Sequence, residues 1–297
     1  MKIGTRGSDL ATTQTGTVAK AISDRLGIEI KQVLIKTKGD IITDRPLREL
    51  EGRGYFTKEL EEALLDGRID LAVHSFKDMP SECPDGLVVA AISKREDPAD
   101  LIIIDKDAYQ PDSDTIPVKQ KAVVGTSAVR RERQIRAIRS DLEIKDLRGN
   151  VPTRLRKLAE GQYDAIFLAS AGVRRLGLDL SAFEVARLDP LRFVPSPGQG
   201  ALAIQMRSDD KIIDSVREII HDREAADATR IERDVMALFG GGCGLPLGVY
   251  AWRKDDLWHA RGFWGGDTEN YIWEQVEGDN PERLGNRLYK TLTKSGK

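Results

Sequence analysis

Short apolar runs alternate with segments of helical periodicity along much of this chain, and that alternation restricts the fold more than any other feature. Leu60, Ala63 and Leu64 fall at i, i+3 and i+4, with Gly67 placed to end a helix. Leu71-Ala72-Val73 then reads as a buried strand. Ala122-Val123-Val124-Gly125 reads as another, running into Thr126-Ser127, residue types that cap a helix well. The helix expected there carries Ile135 and Ile138 among many arginines. Leu142 to Leu147 is a further strand, Pro152 suits the first turn of a helix holding Leu155, Leu158 and Ala159, and Asp164 to Leu168 is a strand again. A last helix follows Ala171-Gly172. Strand, helix, strand, helix predicts parallel α/β units.

The spacing of breakers suggests how these units divide. Glu96-Asp97-Pro98 and Pro195-Ser196-Pro197-Gly198 are the natural crossing points, so the chain is expected to leave a first domain and later return to it. That gives a discontinuous α/β domain over 1–96 and 196–213, and a second α/β domain over 97–195. From 214 to 297 the texture changes. A long charged helix is expected from Arg217 to Leu238, then the glycine loop Gly240 to Gly244. Two antiparallel strands follow around Val249–Trp252 and Trp258–Phe263, and a closing helix starts at Pro281. This third piece reads as a small α+β domain.

Composition bears on what the chain can bind. Lys and Arg number 46 against 48 Asp and Glu, a net charge of −2, so a polyanionic partner is not implied overall. No apolar run approaches the ~20 residues of a membrane helix. The start, Met1 to Arg6, lacks the apolar region of a signal peptide, so a soluble, cytoplasmic protein is expected. With 2 cysteines and 3 histidines, a His/Cys metal site is not expected.

Against that balanced background, arginine is concentrated. Between Thr126 and Arg156 stand Arg130, Arg131, Arg133, Arg136, Arg139, Arg148, Arg154, Arg156 and Lys145, opposed by Glu132, Asp141, Glu143 and Asp146. Arg133, Arg136 and Arg139 read equally as a solvated face. Arg130 and Arg131 break a rule, because cations in a first helical turn oppose the helix dipole. An anionic ligand held by guanidinium groups and helix N–H groups would explain the breach. A second constellation is Val73-His74-Ser75-Phe76-Lys77-Asp78-Met79-Pro80. Ligands of open α/β sheets bind beyond the carboxyl ends of strands, which is where Lys77 and Asp78 would lie, although an exposed turn before Pro80 is the plainer reading. His74 reads as a structural histidine rather than a base. Third is Cys243, ringed by Gly240, Gly241, Gly242 and Gly244, which suits a covalent attachment point or nucleophile. Cys83 takes no role.

Taken together these stretches resemble the porphobilinogen deaminase family. The resemblance is carried by Thr5-Arg6-Gly7-Ser8, Gly54-Tyr55-Phe56 with Lys58-Glu59-Leu60-Glu61, Val73 to Pro80, and Arg95-Glu96-Asp97-Pro98. It continues through Val124-Gly125-Thr126-Ser127 with Arg130-Arg131, Leu147-Arg148-Gly149-Asn150-Val151, Pro197-Gly198-Gln199-Gly200-Ala201 and Gly241-Gly242-Cys243. It implies two α/β domains like those of periplasmic binding proteins, with the active site in the cleft between them, plus the small α+β domain. It also implies a dipyrromethane primer joined by a thioether to Cys243, porphobilinogen as substrate, and hydroxymethylbilane as product. Asp78 matches the catalytic carboxylate. Ser75, Lys77, Thr126, Ser127, Arg130 and Arg131 match positions that seat the primer, and Arg6, Ser8, Phe56, Arg148, Arg154, Arg175 and Gln199 positions that meet substrate. A monomer is the family expectation, and the balanced charge and short apolar runs lead one to expect neither a nucleic-acid nor a membrane partner. Phe56 suits a cleft lid, and equally a core position. Asp9, Ala128 and Pro152 depart from the usual pattern where Pro, Ser and Gly are common. Two rivals remain at this level: a non-catalytic small-anion binder, which gives Cys243 no purpose, and a nucleic-acid binder, which the charge balance opposes.

Overall fold

The computed structural model describes residues 1–37, 55–112, 115–242, 244–266 and 270–294. Its framework is three sheets. The first has the order β2-β1-β3-β10-β4, built from Lys2–Thr5 (β1), Lys31–Leu34 (β2), Leu71–Ser75 (β3), Leu87–Ile92 (β4) and Leu202–Arg207 (β10). The second has the order β7-β6-β8-β5-β9, from Asp100–Ile104 (β5), Val123–Gly125 (β6), Glu143–Lys145 (β7), Ala165–Ala169 (β8) and Glu184–Arg187 (β9). In both, a parallel trio is followed by one antiparallel strand, β10 or β5, and then an edge strand. Each antiparallel strand follows directly after the chain has crossed from the other sheet. The α/β alternation is thus realised twice.

Burial follows from strand position. In the second sheet Ile102, Ile104, Val124, Ala165 and Phe167 pack on one face with Ile135 and Phe193. Leu101, Ile103, Ile166 and Leu168 pack on the other with Leu147, Leu158 and Val173. Both faces are covered by helices or loops, which is why β5 and β8 are nearly continuous apolar runs rather than alternating ones. The third sheet is an antiparallel meander of Leu247–Lys254 (β11), Leu257–Trp264 (β12) and Ile272–Gly278 (β13), covered by the helices Arg223–Leu238 and Pro281–Lys294. No described helix is long and apolar enough to cross a membrane.

Two expectations need correction. The single helix expected over Arg217–Leu238 is two, Ile213–Ile220 and Arg223–Leu238. His221 and Asp222 between them are extended; Asp222 caps the second helix at Ala225 N (2.8 Å), and its own N–H donates to Ile92 O at 2.8 Å. The first of these helices buries Val216 in the core of the first sheet with Ile3, Val18 and Ile204. Finally, Thr126 and Ser127 do not cap the arginine helix. It spans Val129–Ile138, its N-cap is Ala128, and no side chain caps it.

Candidate functional site

β3 ends at Ser75 and runs into one short turn of 3₁₀ helix, Phe76–Asp78, which places Lys77 and Asp78 beyond the strand's carboxyl end. The turn is gripped from behind. Arg233, on the helix Arg223–Leu238, donates to Phe76 O and Met79 O at 3.2 Å each and to Pro80 O. Its guanidinium also sits 4.3 Å over the Phe76 ring. Opposite, Gly198 has φ +74°, and a Cβ there would stand 3.4 Å from Lys77 N, so the returning chain packs directly on this turn. Lys77 Nζ donates to Gln199 Oε1 at 3.3 Å. Desolvation pushes the Lys77 ammonium down to about 8, with Asp78 opposing the shift.

Asp78 opens on a small cavity of about 70 Å³ whose walls include Arg6, Ser8, Phe56, His74 and Ser75. Six residues singled out from the sequence therefore meet there. Arg6 lies 4.1 Å over the Phe56 ring, which gives Phe56 a place in the pocket wall and not in a core. Ser8 caps the helix Asp9–Leu26 through Ala11 N, and Ser75 Oγ donates to Gln14 Oε1 at 3.2 Å. A larger groove of about 910 Å³, beside Arg139, Arg261 and Trp273, is lined by none of the expected site residues.

The arginines of the second unit are held by a residue the sequence reading missed. Asp100, fully buried at the start of β5, accepts from Arg130 Nη2 and Arg131 Nη2 at 2.7 Å each and from Gln199 Nε2 at 2.9 Å. Arg130 Nη1 also donates to Val194 O (2.7 Å), and Arg131 Nη1 to Phe167 O (2.9 Å). The breach of the dipole rule thus has an internal cause: both first-turn cations share one buried carboxylate, which leaves the trio with a net charge of +1. Against the desolvation of Asp100, the two guanidinium groups hold its carboxyl well below the usual range. Arg131 Nε is buried and makes no hydrogen bond among the described residues, so part of its donor set remains for a ligand.

Several expected contacts turn inward. Gln199 is buried, and its amide nitrogen is committed to Asp100 and to Pro98 O (2.7 Å) and its oxygen to Lys77, so it orients Lys77. Ser127 Oγ donates to Leu147 O at 2.7 Å and accepts from Leu147 N at 3.1 Å, and Thr126 Oγ1 accepts from Ala128 N at 3.3 Å. Arg175 Nη2 donates to Gly200 O at 2.6 Å, beside a crossing segment. Arg154, by contrast, remains near the turn. Its Nε donates to Gly149 O at 2.7 Å, and desolvation with Arg131 and Arg148 nearby takes its pKa down to about 10, while Asp78 pulls the other way. The Asp78 carboxylate shares this region with Arg131, Arg148, Arg154 and Lys77.

Cys243 lies outside the described residues. Its neighbour Gly241 has φ +66°, and a Cβ there would come within 2.7 Å of Ser81 Oγ, so the glycine loop rests three residues from Asp78. Glu232 fastens the same junction by accepting from Arg95 Nη1 (2.7 Å), Gly198 N (2.7 Å) and Ala251 N (2.9 Å). A group attached in that loop would meet more cations than carboxylates, which fits a ligand rich in carboxylates. Asp100 had a faint sequence signal, an acid opening an apolar strand. Arg233 and Glu232 had none, since their partners are distant in sequence.

Comparison with known proteins agrees with this geometry. The family profile described as porphobilinogen deaminase, dipyromethane cofactor binding domain, matches residues 1–215. The porphobilinogen deaminase of Roseiflexus sp. (strain RS-1) is 42% identical over 297 residues, covering 99% of this chain and 96% of that one. That of Syntrophus aciditrophicus (strain SB) is 39% identical, covering 100% and 96%. A probable porphobilinogen deaminase of Methanosarcina acetivorans is 46% identical over 253 residues, covering 84% and 76%. Among solved structures, the methionine binding protein MetQ overlaps with a TM-score of 0.45 at 14% identity, covering 86% of this chain and 98% of that one. With a family profile spanning both five-stranded sheets, and relatives aligned from end to end, the chain belongs to the porphobilinogen deaminase family.

Proposed function

We propose that this chain is a transferase that removes ammonia from porphobilinogen and joins four of the resulting units head to tail. The units would grow on a dipyrromethane primer bonded through a thioether to Cys243, and the linear tetrapyrrole hydroxymethylbilane would leave by hydrolysis. The observation that carries this reading is the carboxylate of Asp78, set beyond the end of β3 among Lys77, Arg131, Arg148 and Arg154 with the glycine loop beside it. The primer, when bound, supplies a nucleophilic pyrrole carbon and four carboxylates.

The work of the chain's own residues follows from charge. Each porphobilinogen brings an acetate and a propionate, so a cleft serving this chemistry must neutralise many carboxylates. Arg6, Lys77, Arg131, Arg148 and Arg154 are proposed to do so, each charged hydrogen bond contributing about 1.5–3 kcal/mol. Gln199 acts from behind as the brace of Lys77, and Arg130 shares the Asp100 carboxylate with Arg131. As ammonia departs, positive charge spreads onto the pyrrole nitrogen. Asp78, gripped by Arg233 through the surrounding carbonyls, accepts that N–H where the charge develops, which is electrostatic preorganisation. Phe56 offers a ring face to a pyrrole. Ser8, Ser75, Thr126, Ser127 and Arg175 are proposed to shape the site through the backbone and side-chain contacts described above.

The reading carries with it a division into three domains, the third starting at Arg223, and a cytoplasmic monomer of 33.0 kDa. Incubating the purified chain with porphobilinogen tests the reaction. Release of ammonia together with a product that closes to uroporphyrin on acid oxidation is the expected result. A chain that binds porphobilinogen without releasing ammonia would make it a binding protein.

A further inference from the structure

A buried polar chain that this function does not use lies behind the pocket of Asp78. His74 Nε2 is 3.0 Å from Gln205 Oε1, and Gln205 Nε2 donates to Glu61 Oε1 at 3.3 Å and to Cys83 Sγ at 3.1 Å. His74 is 5% exposed, Gln205 0% and Glu61 9%. The three come from separate elements: β3, β10 and the helix Lys58–Leu65. Antiparallel pairing sets Ala203 opposite His74, which brings Gln205 diagonally alongside it.

These groups fix one another's polarity. Burial pushes the Glu61 carboxyl pKa up, and the hydrogen bond from Gln205 opposes that shift; as a carboxylate it only accepts, so Glu61 turns the amide nitrogen of Gln205 toward itself. The amide oxygen then faces His74, and an oxygen also accepts, so the imidazole must carry its proton on Nε2. The lone pair of the neutral ring is left on Nδ1, which makes no hydrogen bond among the described residues. Desolvation takes the His74 pKa down to about 4, so the ring is uncharged at neutral pH. His74 also lines the pocket that Arg6, Ser75 and Asp78 share. A charged imidazole in that wall would compete with substrate for the Asp78 carboxylate. A neutral one with an open lone pair would not.

We infer that Glu61 and Gln205 are positioning residues, which lock His74 as its Nε2–H tautomer so that Nδ1 faces the reaction as a neutral acceptor for an N–H of the substrate. The inference rests on the proposed reaction for its consequence, but the tautomer can be read without any turnover.

The test is long-range ¹H–¹⁵N NMR of the full chain labelled with ¹⁵N-histidine. With 3 histidines in the sequence, the His221→Gln and His259→Gln variants assign the His74 signal. A single Nε2–H species is expected in the native chain. In Glu61→Gln, whose amide can present either atom to Gln205, the two tautomers should mix. With them kcat should fall about tenfold at unchanged KM and unchanged primer loading. A native His74 protonated at Nδ1 would overturn the inference, and so would Glu61→Gln with native kcat. The native spectrum stands even if that variant fails to fold. A native chain with the Nε2–H tautomer and no turnover would count against the proposed reaction alone.

Discussion

Replacing Asp100 by asparagine changes almost no volume and removes one negative charge from a site that is 0% exposed. In the native chain that carboxylate receives three hydrogen bonds, two of them from guanidinium groups at 2.7 Å. An asparagine oxygen can keep one guanidinium, but its amide nitrogen would then face the other, donor against donor. Two buried cations would be left without a counter-charge, and breaking a buried pair in this way costs about 3–5 kcal/mol. Against the ~5–15 kcal/mol that holds an ordinary domain together, that is a large fraction. Urea denaturation followed by circular dichroism measures it: the midpoint should fall while the slope is unchanged. The pH dependence adds a second reading. A folded pKa held below the unfolded value means that Asp100 contributes its full stability above about pH 4 and loses it as pH falls further. The asparagine variant should therefore lose less stability than the native chain on acidification. A loss of under about 1 kcal/mol, the range of exposed ion pairs, would refute the view that Asp100 is the brace of the arginine cluster.

Other expectations concern the turn itself. Asp78→Asn should keep the native circular dichroism and lower kcat by about 100-fold to 1,000-fold, as loss of a preorganised charge partner does. Because Lys77 titrates at about 8, the KM for a carboxylate-bearing substrate should rise as pH increases through that value, and Lys77→Gln should lose this rise. Arg233→Met removes the bonds to Phe76 O, Met79 O and Pro80 O; kcat should fall about tenfold, measured alongside a thermal melt to separate misplacement from unfolding.

Much of this was legible because local signals were strong. Leu60, Ala63 and Leu64 with Gly67, and Val123–Gly125, gave elements at the expected places. Pro152 stands in the first turn of the helix Val151–Ala159, as its fixed φ favours. Asp78, Arg6 and Phe56 were found as motif residues, and the structure brings them to one cavity. What stayed hidden depended on partners far along the chain. Arg130 and Arg131 looked unneutralised because Asp100 lies 30 and 31 residues earlier. The helix break at His221–Asp222 was easy to miss because no Gly or Pro marks it. It is fixed by tertiary bonds, from Asp222 N to Ile92 O (2.8 Å) and from Ile92 N to His221 Nδ1 (3.3 Å). β13 follows a stretch with no apolar alternation to announce it, since its pairing with β12 does the ordering.

Intact mass spectrometry of the purified chain, with peptide mapping across Gly240 to Leu247, tests the central claim most directly. A mass excess equal to a dipyrromethane, confined to the peptide that holds Cys243, is the predicted result. A Cys243 still unmodified after incubation with porphobilinogen would contradict it.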